Sequence, residues 1–173
     1  MPVITSGGSL VTSQSIVNGT IVNEDINVAA GIERKKLADT LLVKATHSVN
    51  QTIGTTPAVI AFDTESVDTD SAFSSNTYTA PRALRARVNV NVSTTAGGTS
   101  GDYFTVSIRV NGTPVRILNG HTGLGVGLRG GLTINEVLSL ALNDTVDILI
   151  SSDGASHSLI GGADGLCLTI EEV

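Results

Sequence analysis

Short runs of alternating apolar and polar residues fill the chain from about Ala58 onward. In the clearest run every second residue from Ala86 to Val92 is apolar, and polar residues lie between them. The same alternation recurs over residues 104–110, 138–142, 146–150 and 166–170. Successive side chains of a strand point to opposite faces, so a period of two predicts strands that bury one face.

Turn signals separate these runs at short intervals. Both residues of Asn111-Gly112 accept the positive φ of a two-residue hairpin turn, so we predict a returning strand through Val115 and Ile117. The stretch 119–131 holds six glycines and predicts a loop at one end of the domain. With 19 glycines and only 15% charged residues, the chain is typical of an all-β sandwich or barrel, and no convincing helix follows residue 50.

Residues 1–49 form an N-terminal arm whose pattern differs from that of the head, residues 50–173. A short apolar ladder, Ile16-Val17, is nearly repeated five residues later as Ile21-Val22. Residues 25–38 predict a brief helix, because alanines and a Glu-Arg-Lys-Lys run favour it. An arm of this size buries too little surface to fold alone, so it must lie on another surface.

The charge and cysteine content excludes several classes of protein. The net charge is −6, and residues after 50 hold six Arg and no Lys, with no basic tract to follow a phosphate backbone, so we expect no nucleic-acid partner. No apolar run approaches the roughly 18 residues that span a bilayer. The first residues lack a signal peptide, so we expect use without export. The single Cys167 excludes an intrachain disulfide framework.

Four segments of the head resemble the jelly-roll superfamily of tumour necrosis factor and the globular heads of complement-type proteins, in the versions found on bacteriophage virions. They are IAFDTES (60–66), SAFSSNTYTAPRALRARVNVNV (71–92), LSLALNDTVDILI (138–150) and LCLTIEEV (166–173). Leu84 and Ala86 stand where relatives usually have Gly and Tyr, and Asn143 stands where Gly is common. The resemblance implies an all-β jelly-roll sandwich preceded by an extended arm with a short helix.

The arm has a resemblance of its own over residues 16–41. GTIVNEDINVAAGIERKKLADT is similar to segments of phage fibre and head-appendage proteins, which run from a docking region through a short helix into a head. Together the two resemblances imply a homotrimer. The ladder would be buried against its symmetry mates or, by strand addition, on a capsid subunit. The expected docking and trimerising residues are Ile16, Val17, Ile21, Val22, Ile26, Ile32 and Leu37.

These resemblances imply a structural protein of a tailed bacteriophage, a capsid decoration protein or short head fibre. Its partners would be the major capsid protein and two further copies, and it would reach the capsid surface after synthesis in the host cytoplasm. An alternative is a receptor-binding fibre tip or spike head, whose loop 121–129 contacts a host glycan or surface protein. A secreted cytokine-like ligand is a third possibility, disfavoured by the missing signal peptide and disulfides.

Two sets of side chains could hold ions. Asp63, Glu65, Asp68 and Asp70 offer oxygen ligands for calcium at short spacing, but no EF-hand pattern is present, and a solvated loop between two strands is favoured. The three histidines, His47, His121 and His157, lack metal-binding spacing and are expected at the surface. One of them could form a threefold ring in a trimer.

No catalytic set stands out. There is no Gly-x-Ser-x-Gly elbow and no glycosidase-type acid pair, and Cys167 is predicted on the opposite strand face from Leu166 and Leu168 as a packing residue. We therefore expect no enzymatic activity, cofactor or metal centre beyond the calcium alternative. Arg85 and Arg87 are predicted on one polar strand face, either paired with acidic groups or solvated.

Overall fold

The computed structural model describes residues 41–95, 102–121, 130–153, 157–162 and 165–173. In this part of the chain all regular structure is β-strand, as the alternation predicts. The strands are β1 (Leu41–Thr46), β2 (Gln51–Ile53), β3 (Ala58–Val59), β4 (Thr64–Asp68), β5 (Phe73–Ser74), β6 (Thr77–Thr79), β7 (Leu84–Thr94), β8 (Tyr103–Val110), β9 (Thr113–His121), β10 (Gly130–Leu140), β11 (Thr145–Ser152), β12 (His157–Leu159) and β13 (Leu166–Glu172).

The predicted helix over residues 25–38 and the seven docking residues of the arm lie outside the described residues. Where the structure is described, no helix has the length and apolar character of a membrane-spanning segment.

The larger sheet is built around β7, which is the longest alternating run in the sequence. β10 and β13 flank β7, β1 pairs with β13 and β4 pairs with β1, all antiparallel. The short strand β12 meets the end of β7 and pairs with β2. Every second residue of β7 from Leu84 to Thr94 is buried, so the predicted one-sided strand is confirmed.

The smaller sheet faces the larger one and has the strand order β5-β6-β11-β8-β9, with β3 also paired to β11. Its inward residues come from the predicted runs at 104–110 and 146–150. Phe104, Val106, Ile108, Ile148 and Ile150 are all almost fully buried. The core therefore lies between two antiparallel sheets, which is the sandwich arrangement that the period-two pattern predicts.

The predicted hairpin at Asn111-Gly112 is confirmed. Both residues have positive φ, 51° and 77°, and Val110 pairs with Thr113 on either side of the turn. Such a turn matches the twist of the two strands that it joins. The Asn111 side chain also ties the hairpin to the next turn, because its Nδ2 donates a hydrogen bond of 2.8 Å to Asp144 Oδ1.

The structure differs from the sequence prediction at three places. Residues 41–46, which were assigned to the arm, form β1 within the larger sheet, so the sandwich begins before residue 50. The run at 138–142 ends early: β10 stops at Leu140, and Leu142 is exposed in a turn where Asn143 has φ 70°. Both ends of the predicted glycine-rich loop belong to β9 and β10, and residues 122–129 lie outside the described residues.

Candidate interaction surfaces

The outward face of the larger sheet is polar and largely uncharged at its centre. Asn91 of β7 lies between Thr133 of β10 and Cys167 of β13, and Thr133 Oγ1 donates to Asn91 Oδ1 at 3.3 Å. In the next row Asn89 lies between Asn135 and Thr169. The centre of this face therefore presents polar rather than apolar side chains to a partner.

Cys167 occupies the predicted position on this face. It is half-buried, whereas its neighbours Leu166 and Leu168 point into the core. Burial raises the pKa of the Cys167 thiol, and the charge of Lys44 opposes this only in part. A raised pKa lowers the thiolate fraction, so Cys167 is suited to packing rather than to nucleophilic chemistry.

One end of the same face carries charged residues, as predicted for the polar side of β7. Arg85 and Arg87 are both exposed there. Arg87 Nη1 lies 3.6 Å from Glu171 Oε2 of the neighbouring strand β13. Arg85 has no ion-pair partner in the part of the chain that the structure describes. The expected pairing is therefore present for Arg87, and Arg85 remains solvated.

The most apolar exposed surface lies on the edge strand β9. Val115 and Ile117 are 46% and 55% exposed, because β9 pairs with β8 alone among the described strands. Val115 sits at a bulge, and the adjacent Arg116 Nε lies 3.7 Å from Glu136 Oε2 of β10, so this ion pair bridges the edges of the two sheets. We call Val115, Arg116, Ile117 and Glu136 the β9 corner.

Sequence reasoning found the strand β9 but missed the exposure of its apolar residues. Ile117 lies opposite Ser107 on the outward face of the smaller sheet. An exposed edge strand with apolar side chains is a template for contact with another chain. Pro114, which cannot donate to a ladder, was the one signal in the sequence that this strand forms an edge.

Two of the four acidic residues considered for calcium, Glu65 and Asp68, lie in strand β4, whereas Asp63 precedes that strand and Asp70 lies in the turn after it, so the expected loop is wrong for two of the four. Residues Thr64–Asp68 form β4, which includes Glu65 and ends at Asp68. The Asp68 carboxylate accepts hydrogen bonds from the backbone N–H groups of Ala72 and Phe73, at 2.9 and 3.2 Å. Its role is to stabilise the turn that follows the strand.

Asp63 and Asp70 also have separate partners. Asp63 accepts hydrogen bonds of 2.7 Å from both the Ser48 hydroxyl and the Ser48 N–H, which hold the pKa of Asp63 below its usual value. Asp70 Oδ2 lies 3.5 Å from Arg82 Nη1. Within the described ranges no group of three His, Cys, Asp or Glu side chains could hold a metal ion. The geometry gives the calcium hypothesis no support.

Two of the three histidines are buried, contrary to the surface positions expected for them. His47 Nδ1 lies 3.3 Å from Asp63 Oδ2, and His157 Nε2 lies 3.7 Å from Asp102 Oδ2. Their small polar neighbours suggested loops, but His157 begins β12 and its side chain is only 2% exposed. His121 is exposed as predicted, at the end of β9 opposite Tyr103.

Comparison with known proteins supports the fold alone. No protein-family description matches this sequence. No curated protein matches it significantly either. Among solved structures, it is similar to the globular domain of the zebrafish complement 1qA protein, with a TM-score of 0.53 and 10% identity over 74% of this chain and 93% of that one. The described part of the chain thus has an all-β jelly-roll fold similar to that of a complement globular domain.

Proposed function

We propose that this protein is a structural virion protein of a tailed bacteriophage, a homotrimeric capsid decoration protein or short head fibre. The proposal combines the phage-like arm sequence with one structural observation, the exposed apolar β9 corner on a jelly-roll head. A head that exposes Val115 and Ile117 on an unpaired edge gains free energy when another chain covers them. The arm then provides attachment, and the head provides contact between copies.

The β9 corner is the part of the described surface best suited to contact between copies. Val115 and Ile117 flank Arg116 in the chain, and the Arg116–Glu136 ion pair is itself partly exposed, so the corner combines exposed apolar side chains with charged ones, as protein interfaces do. The outward face of the larger sheet is polar, so it is less suited to that role. In a closed trimer three such corners would each meet the next copy.

Attachment to a shell is tested by adding the purified full chain to capsids from a phage that lacks the gene. We expect the protein to sediment with the capsids, and Ile21→Asp to abolish binding by placing a charge in the apolar ladder. Asn18→Asp adds the same charge to the same segment without removing an apolar side chain, so it serves as the control. Equal binding by the wild type and Ile21→Asp would contradict docking through the ladder.

Association is tested separately by native mass spectrometry of the full chain. We expect a mass three times that of the chain, and dissociation when Ile117→Asp places a charge in the β9 corner. The matched control is Val49→Asp, because Val49 is similarly exposed, at 61%, but lies between β1 and β2. A stable monomer in the wild type would contradict the trimer.

A receptor-binding fibre tip or spike head remains the second candidate, and one observation favours it. His121 and Tyr103 lie side by side on the outward face of the smaller sheet, and Tyr103 is 40% exposed. An exposed aromatic ring beside a polar side chain is suited to stacking on a sugar and bonding to its hydroxyls. Saturable binding of the full chain to host cells, lost in Tyr103→Ala, would support this candidate over decoration.

A further inference from the structure

The described chain begins on the outward face of the larger sheet. Leu41, the first residue of β1, pairs with Glu171 of β13. Glu171 pairs in turn with Arg87 of β7, and Arg87 pairs with Val137 of β10. These four residues form one row across four strands, which we call the entry row. The 40 residues before Leu41 thus reach the head at the end of this row.

Two exposed valines lie among the charged residues around the entry row. Val137 is 39% exposed, and Val173, whose N–H donates to the Arg85 carbonyl, is 45% exposed. Between them lie the aliphatic stems of Arg85 and Arg87, which can pack against apolar groups while their charged ends stay in water. The guanidinium of Arg85 is the one on this face without an ion-pair partner among the described residues.

We propose that residues 26–37 of the arm lie on the entry row of their own chain. Leu37 precedes Leu41 by four residues, and four residues of extended chain span at most about 14 Å. The entry row joins four strands about 4.8 Å apart, so it also spans about 14 Å. Leu37 therefore cannot lie farther from Leu41 than Val137 does. The short stretch between Leu37 and β1 acts as a tether, which keeps the segment at a high local concentration near the entry row.

The chemistry of the segment fits this surface. Ile26, Ile32 and Leu37 supply apolar side chains for Val137, Val173 and the arginine stems. Glu33 supplies a carboxylate for Arg85, and the Lys35-Lys36 pair supplies ammonium groups for Glu171. Twelve residues in a helix are about 18 Å long, which is enough to cover the row. The partner is thus a segment of apolar and charged residues supplied by the chain itself.

The arm then has two parts with separate roles. Residues 26–40 are held on the head, and residues 1–25, which include the ladder Ile16-Val17 and Ile21-Val22, extend from a fixed point. The surface of the entry row is then occupied by the chain itself, whereas the β9 corner stays available for other copies. The inference does not depend on whether the chain belongs to a virion.

Photo-cross-linking of the full chain tests whether residues 26–37 lie on the entry row. With p-benzoylphenylalanine in place of Val137, we expect cross-links to residues 26–40 in a product of single-chain mass, located by mass spectrometry. The same probe in place of Ile117 is the control, since it is exposed on the smaller sheet, and we expect no cross-link from it to residues 26–40. Cross-links from position 137 only to residues 1–25, only to another copy, or to nothing would overturn the inference.

A second measurement separates docking from chance proximity. In the chain with the probe at position 137, Ile32→Asp should lower the docking equilibrium constant by about tenfold, which is roughly 1.4 kcal/mol of docking free energy, and so lower the yield of the cross-link to residues 26–40. Ile21→Asp, which makes the same change in the ladder, should leave this yield unaltered. An unaltered yield in Ile32→Asp would contradict docking through the apolar residues of the segment.

Discussion

Gly120 of β9 lies directly opposite Phe104 of β8, and the Phe104 ring occupies the space that a Cβ atom at position 120 would need. Phe104 is fully buried, so its ring cannot turn out into solvent. A glycine in an edge strand loses packing, and the facing aromatic ring restores that packing by covering it. This pair holds the edge strand β9 on the sandwich.

The first prediction follows from this pair. Gly120→Ala should lower the free energy of unfolding by about 1–3 kcal/mol, because the added methyl group forces the Phe104 ring or the strand to shift. The control is Gly54→Ala, where a Cβ meets no atom within 4 Å, and there we expect a change within about 0.5 kcal/mol. The denaturant midpoint measures both variants. Equal midpoints for Gly120→Ala and the wild type would mean that the Phe104 ring shifts without any loss of unfolding free energy.

Thr94 provides the second prediction. Its side chain is fully buried, and its Oγ1 has no hydrogen-bond partner in the described structure. A buried hydroxyl without a partner has lost its water hydrogen bonds without replacement, so Thr94→Val should raise the free energy of unfolding by about 1 kcal/mol. Thr133→Val is the control, since Thr133 is exposed and bonds to Asn91. Destabilisation by Thr94→Val would mean that the hydroxyl has a partner in solution.

The third prediction concerns Arg109 and Asp147, neighbours on β8 and β11. Two parallel hydrogen bonds of 2.7 and 2.6 Å join the guanidinium to the carboxylate, and they raise the pKa of Arg109 further. Asp147→Asn removes the charge and places an amide N–H₂ group against the guanidinium, which should cost about 1.5–3 kcal/mol.

The control for this pair is Glu171→Gln, which removes the charge of the more exposed Arg87–Glu171 pair. An exposed pair contributes less than about 1 kcal/mol, so thermal unfolding should shift much less than in Asp147→Asn. Similar shifts for the two variants would contradict the argument that the short bidentate geometry, rather than charge alone, stabilises the smaller sheet.

The fourth prediction is a dependence of stability on pH through Asp144. Its carboxylate accepts hydrogen bonds from the Asn111 side chain and the Ala141 N–H, and these lower its pKa from the ordinary value of 3.8. A lowered folded-state pKa gives stability that is fully present above pH 3.8 and is lost as the pH falls through the folded-state value.

We therefore expect the free energy of unfolding of the wild type to decline more steeply below about pH 4 than that of Asp144→Asn, whose side chain does not titrate. Denaturant titrations at a series of pH values measure the two slopes. Parallel slopes would mean that Asp144 is protonated equally easily in the folded and unfolded chain.

Features that depend on neighbouring residues were predictable from the sequence. The alternation in β7 gives its buried face directly, because side chains of a strand alternate whatever lies beside it. The hairpin at Asn111-Gly112 was also predictable, since the turn type depends on which residues accept positive φ. The position of Cys167 opposite the two flanking leucines follows for the same reason.

Features that depend on distant pairing were not predictable. The exposure of Ile117 arises because β9 lies at a sheet edge, which the order of strands decides and the local pattern does not. His157 was expected at the surface from its small polar neighbours, but pairing of β12 with β2 and β7 buries it. Glu65 and Asp68 were expected in a loop, but pairing with β1 places them in strand β4.

The most direct test of the proposed function is the copy number of this protein in purified virions, measured by quantitative mass spectrometry against the major capsid protein. A decoration protein occupies equivalent sites over the whole shell, so we predict a copy number comparable to that of the capsid protein. A handful of copies per particle would contradict decoration and indicate a vertex or tail appendage. Absence from the particle would contradict a virion role altogether.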